Sequence, residues 1–124
     1  LALDHGLDSV SPEPGPVNHE LANVGQALIQ KGALACVDCH AVGAQPALAG
    51  ADTSTINFAH VPDRLRKDYF DRYLLDPQRL LPGTMMPKFV NDEGLTGLTT
   101  HFDGNARKQF DAIWQYMRTI PMNN

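Results

Sequence analysis

An all-α domain is the fold class this sequence predicts, on three observations. Apolar residues recur at helical spacing in separate stretches, around residues 18–31, 62–76 and 105–119. The segments between them are rich in glycine, proline and small polar residues. No stretch alternates apolar and polar residues with the period of a strand. A length of 124 residues suits a single domain with a core of moderate size. The formal net charge of −4 argues against a nucleic-acid partner. No apolar run approaches the length of a membrane span.

Taken in order, residues 1–17 read as a proline-rich linker or disordered N-terminal segment, and residues 18–124 as the domain. Pro12, Pro14 and Pro16 alternate with small or polar residues, which favours an extended chain. His5 in this segment and His19 just after it read as solvated. Leu1 to Val10 contains Asp4, His5 and Asp8 and lacks the basic start and apolar block of a signal peptide.

Asn18 is placed to cap a first helix whose apolar face is Leu21, Val24, Leu28 and Ile29. Gly25 lies on that face and costs the helix about 1 kcal/mol, which suits a position where another helix comes close. The helix should end near Lys31-Gly32. Residues 41–50 read as loop. Ala51 to His60 has no clear period. A second helix should start at Pro62-Asp63, present Leu65, Tyr69, Tyr73 and Leu74, and stop at Asp76-Pro77. Lys88 to Gly104 reads as loop with a short helical turn at Asn91 to Leu98. A last helix runs from Asn105 to Thr119, burying Phe110, Ile113, Trp114 and Met117.

The chemistry concentrates in Cys36-Val37-Asp38-Cys39-His40. This is C-x-x-C-H, the pattern of c-type haem attachment. Two thiols at that spacing add to the two vinyl groups of one porphyrin, and the next histidine is held as the proximal iron ligand. A redox dithiol would sit in a βαβ pattern, which is missing here. A structural zinc site draws on four Cys or His ligands in paired spacing, and the chain has only two cysteines. With both cysteines on a haem, no disulfide is expected. The iron's other face then needs a donor. Met86 lies in Pro82-Gly83-Thr84-Met85-Met86-Pro87, a rigid non-helical turn that is a poor place for a filler methionine. A thioether there would raise the potential by stabilising reduced iron. His60 and His101 are alternative ligands, although nothing in their surroundings sets a distance to the iron.

These two motifs resemble those of class I, single-haem cytochromes c, and the resemblance covers residues 18–120. In that family the sixth ligand often sits in G-T-x-M-P. Gly83, Thr84 and Pro87 match, Met85 takes the variable place, and the ligand falls on Met86. The resemblance implies a cytochrome c fold, with about three to five helices packed around one covalently bound haem c. It implies haem binding by Cys36, Cys39, His40, Met86 and Pro46, the iron being held by His40 and Met86. Pro46-Ala47-Leu48 is similar to a shortened form of a family segment whose proline carbonyl accepts a hydrogen bond from the proximal imidazole. On turn preferences alone Pro46 is equally an ordinary turn proline. The family also pairs a C-terminal aromatic with the first helix's glycine, which points to Tyr116 or Trp114 against Gly25.

The function implied is one-electron transfer, not catalysis. The domain would be monomeric and would serve a redox partner protein or a fused dehydrogenase domain in the bacterial periplasm. The signal would have been removed, or the domain would be part of a longer secreted protein. The alternative is a gas-binding or peroxidatic haem protein with an open sixth site.

Overall fold

The computed structural model describes residues 15–48, 56–84 and 86–121. Most of the expected linker, including His5, lies outside them, as does Met85. Among the described residues there are five α-helices, three short 3-10 turns and no strand. The helices are α1 (His19–Leu28), α2 (Val61–Arg64), α3 (Lys67–Leu75), α4 (Pro77–Leu80) and α5 (Ala106–Met117). Three isolated antiparallel bridges, Val42 to Gln45, Val90 to Thr96 and Leu95 to Asn105, fold back the loops. No described helix is long and apolar enough to cross a membrane.

The pairing of α1 with α5 is the frame of the domain. Asn18 caps α1 through its side chain, which accepts from Leu21 N at 3.0 Å. Asn105 caps α5 in the same way, accepting from Lys108 N at 3.0 Å. Where the helices cross, a Cβ added to Gly25 would stand 2.0 Å from the Ala112 carbonyl oxygen. The glycine therefore lets α1 come down onto the backbone of Ala112 and Ile113. Trp114 packs on Phe70 of α3, ring centroids 5.0 Å apart. Tyr116 lines a shallow cleft against residues 42–45.

Two boundaries differ from expectation for physical reasons. α1 stops at Leu28 because the chain turns back at once. Leu34 N bonds the Leu28 carbonyl at 2.9 Å and Val37 N bonds the Ile29 carbonyl at 3.1 Å, so those acceptors are satisfied from the turn. The second expected helix is two helices. Leu65 and Arg66 are extended, with ψ of 146° and 149°. An unbroken helix advances about 100° per residue, which would put Val61 and Phe70 about 180° apart on opposite faces. Both are buried, at 3% and 5% exposure, and the break is what lets both face inward. Asp76 ends α3 as expected, and Pro77 then opens the extra turn of α4.

The 88–105 stretch contains no helical turn at 91–98. The Asn91 side chain accepts from Glu93 N and Leu95 N, at 2.9 and 3.0 Å, and turns the chain back on itself. Gln109 of α5, fully buried, then fastens the loop from inside. Its Oε1 accepts from Thr96 Oγ1 at 2.8 Å, and its Nε2 donates to the carbonyls of Leu98 and His101 at 2.8 and 3.0 Å. The core between these elements includes Leu28, Ile29, Val37, Phe58, Phe70, Phe110 and Ile113.

Candidate functional site

The C-x-x-C-H segment forms a single tight turn seven residues beyond the end of α1. Ala35 enters it in the left-handed region, at φ 59°. Residues Cys36–Asp38 make a 3-10 turn, and the Cys36 carbonyl accepts from both Cys39 N and His40 N, at 3.2 and 3.0 Å. Residues three and four apart share one side of such a turn. The backbone thus places Cys36, Cys39 and His40 within one turn. The two cysteines are not joined as a disulfide. Cys39 is exposed and Cys36 half-buried against the core.

Burial pushes the Cys36 thiol up to about 12; a hydrogen bond with its own backbone opposes that shift, and the neighbouring Cys39 adds to it. This is the reverse of the lowered thiol that dithiol exchange relies on. Among the described residues no group of three or more His, Cys, Asp or Glu side chains is disposed to hold a metal ion, so the donors of a closed zinc site do not gather.

His40 is held by two contacts from one downstream segment. Its Nδ1 lies 2.8 Å from the Ile56 carbonyl oxygen. Its ring also packs on Phe58, centroids 4.7 Å apart. A carbonyl only accepts, so Nδ1 must carry the proton. Burial lowers the imidazole's pKa from its ordinary value, the bond to Ile56 opposing, which favours the neutral ring. A neutral ring protonated at Nδ1 keeps its lone pair on Nε2, the form that ligates a metal. The carbonyl expected from Pro46 is therefore supplied by Ile56. Pro46 is exposed, and its loop is folded back by the Val42–Gln45 bridge.

Met86 sits in a loop tied to α3 and α4. Thr84 Oγ1 is the knot: it accepts from Met86 N at 3.2 Å and shares a 3.0 Å hydrogen bond with the Tyr73 hydroxyl. Gln78 of α4 grips the same loop at both ends of its amide. It accepts from Gly83 N at 3.0 Å and donates to the Thr84 carbonyl. Gly83 itself has φ 88°, which glycine adopts without cost. Met86 is half-buried and abuts the same apolar cluster as Cys36. Of the other candidates, His60 is half-buried at the end of the Phe58–His60 turn. The His101 ring is 3.1 Å from Thr100 Oγ1.

The residues missed in the sequence are Ile56, Asn57 and Phe58. Ile56 acts through its backbone, which leaves no trace in residue type. The available signal was Asn57, a turn-capping residue ahead of an apolar pair. No protein-family model, curated protein or solved structure matches this chain.

Proposed function

We propose that this chain is a single-haem c-type cytochrome domain with a class I cytochrome c fold. Cys36 and Cys39 would carry the haem through thioether bonds. His40 Nε2 and the Met86 sulfur would hold its iron. The observation that carries this reading is the His40 geometry: a ring protonated at Nδ1 by the demand of the Ile56 carbonyl, one turn of chain from two thiols at the attachment spacing. The donor set also fits, since the thiols and imidazole share one turn and Met86 borders the same core.

When bound, the haem supplies a reversible one-electron couple between ferrous and ferric iron. The chain's part is to hold, tune and shield. The Ile56 carbonyl strengthens His40 as a donor and lowers the potential, whereas a neutral thioether from Met86 raises it. An iron held by side chains from both His40 and Met86 would have no site left for a substrate, which favours electron transfer over catalysis. The partner would be a redox protein or a fused dehydrogenase domain, met outside the cytoplasm where such haems are attached.

Expression with and without a c-type maturation system tests the reading. The expected product is red, keeps its colour through acid-acetone extraction, and exceeds the polypeptide mass by one haem. Carbon monoxide should bind the reduced protein slowly and incompletely. A colourless product of bare polypeptide mass would overturn the proposal. Rapid, complete carbon monoxide binding at neutral pH would replace it with an open-site haem protein.

A further inference from the structure

The orientation of His40 depends on a backbone carbonyl, and that carbonyl stands next to a single amide side chain that ties two loops together. Asn57 follows Ile56 directly and is extended, at φ −71° and ψ 135°. Its Oδ1 accepts from Gly43 N and from Ala59 N, each at 2.9 Å. Its Nδ2 donates to the Gly43 carbonyl, also at 2.9 Å. The amide can be placed only one way round, because the flipped form would set donor against donor and acceptor against acceptor. One bond caps the Phe58–His60 turn, and the other two clamp residues 56–60 to the loop just after His40. The loop it grips is itself seated. Gly43 has φ 60°, and a Cβ there would come within 2.9 Å of Ile120 beyond the end of α5. A second tie lies alongside, where Phe58 N donates to the Ala41 carbonyl at 2.9 Å.

We infer that Asn57 is the positioning residue of the proximal site: its side-chain amide, bridging Gly43 to residues 56–60, sets the Ile56 carbonyl on Nδ1 of His40 and so selects the ring tautomer that presents Nε2 to iron. The tautomer is a property of the chain alone. Only the effect on the potential rests on the cytochrome reading.

Asn57→Ala removes all three bonds. Asn57→Ser keeps a hydroxyl to cap Ala59 N, but one short hydroxyl cannot replace the separate amide oxygen and nitrogen that hold Gly43 N and the Gly43 carbonyl. Both are prepared as the full chain, without haem and after maturation. Nitrogen-15 shifts of the His40 ring at pH 8 report the tautomer ratio. In both variants the ratio of Nδ1–H to Nε2–H should fall about tenfold, the worth of roughly one hydrogen bond. In the matured variants the midpoint potential should rise, because a ligand that loses its carbonyl partner is a weaker donor to ferric iron. Were Asn57 merely a turn cap, the serine variant would be rescued. A folded serine variant with the parent's tautomer ratio overturns the inference, whether or not haem attaches. A chain that takes no haem yet shows the tautomer shift upholds Asn57 while removing the cytochrome reading. Where the alanine variant fails to fold, the serine variant decides.

Discussion

The two halves of the site are held in opposite ways. The proximal half, residues 36–40, is set by long-range contacts: the carbonyl on His40 comes from 16 residues downstream, and Phe58 of the same segment packs on the ring. The distal half, residues 82–87, is set by side chains close in sequence. Tyr73, Gln78 and Thr84 reach it from α3, α4 and the loop itself. The proximal turn hangs from α1 and borders the buried core. The distal loop has exposed neighbours, with Leu81 at 54%. A side chain fixed by the core moves only if the domain opens. A side chain fixed by a few partly exposed hydrogen bonds can detach while the fold stays intact. The proximal side should therefore report global stability, and the distal side local opening.

The largest expected effect tests the first half of that contrast. Gly25→Ala places a methyl carbon 2.0 Å from the Ala112 carbonyl oxygen. Helix propensity alone would favour alanine by about 1 kcal/mol. Backbone atoms on both sides cannot yield, so overpacking should win and cost about 3 kcal/mol net. Urea denaturation should show a lower midpoint at unchanged slope, with the His40 and distal signals lost together. A stabilised variant would mean that the α1–α5 crossing is looser than its geometry, and that the proximal turn is not core-anchored.

Met86→Ala comes next and addresses the distal half. On the proposed reading the haem stays covalently attached, the potential falls, and carbon monoxide binds quickly. The loss of a half-buried thioether should cost about 1 to 2 kcal/mol of stability. Retention of the parent spectrum and potential would remove Met86 from the iron. Tyr73→Phe is milder. It deletes the hydroxyl partner of Thr84 Oγ1 and should cost about 1 kcal/mol. Hydrogen exchange should quicken in residues 82–87 while α1 and α5 keep their protection. Equal acceleration in α1 would break the contrast between the two halves.

What was legible in the sequence divides along the same line. α1 and α5 were readable because their caps, Asn18 and Asn105, and their apolar spacing are local patterns. The turn that carries Cys36, Cys39 and His40 was readable because C-x-x-C-H is a local pattern, and the structure closes it as one turn. Met86 and Thr84 were singled out together, and the structure joins them by a hydrogen bond. The break at 65–66 was not readable, because it answers to where Val61 and Phe70 must both be buried. Lys88 to Gly104 is loop as the sequence reads, but the turn at 91–98 is not helical, and the loop's organiser, Gln109, lies in another element and is polar on a face expected to be apolar. The Ile56 carbonyl is invisible in principle, since every residue carries one.

The smallest expected effect is in the pH dependence of the chain before haem attachment. His40 is lowered from its ordinary value, first by burial, with the Ile56 bond opposing. Below the ordinary histidine range the unfolded chain then binds a proton that the folded chain refuses. Stability should be fully present above pH 6.5 and decline as pH falls through the depressed folded value. His40→Gln removes the imidazole, and the slope of stability between pH 6.5 and pH 5 should flatten against the parent. An unchanged slope would mean that His40 is protonated as readily folded as unfolded. Its ring would then be free to leave Ile56, and the proximal half would be no more rigid than the distal.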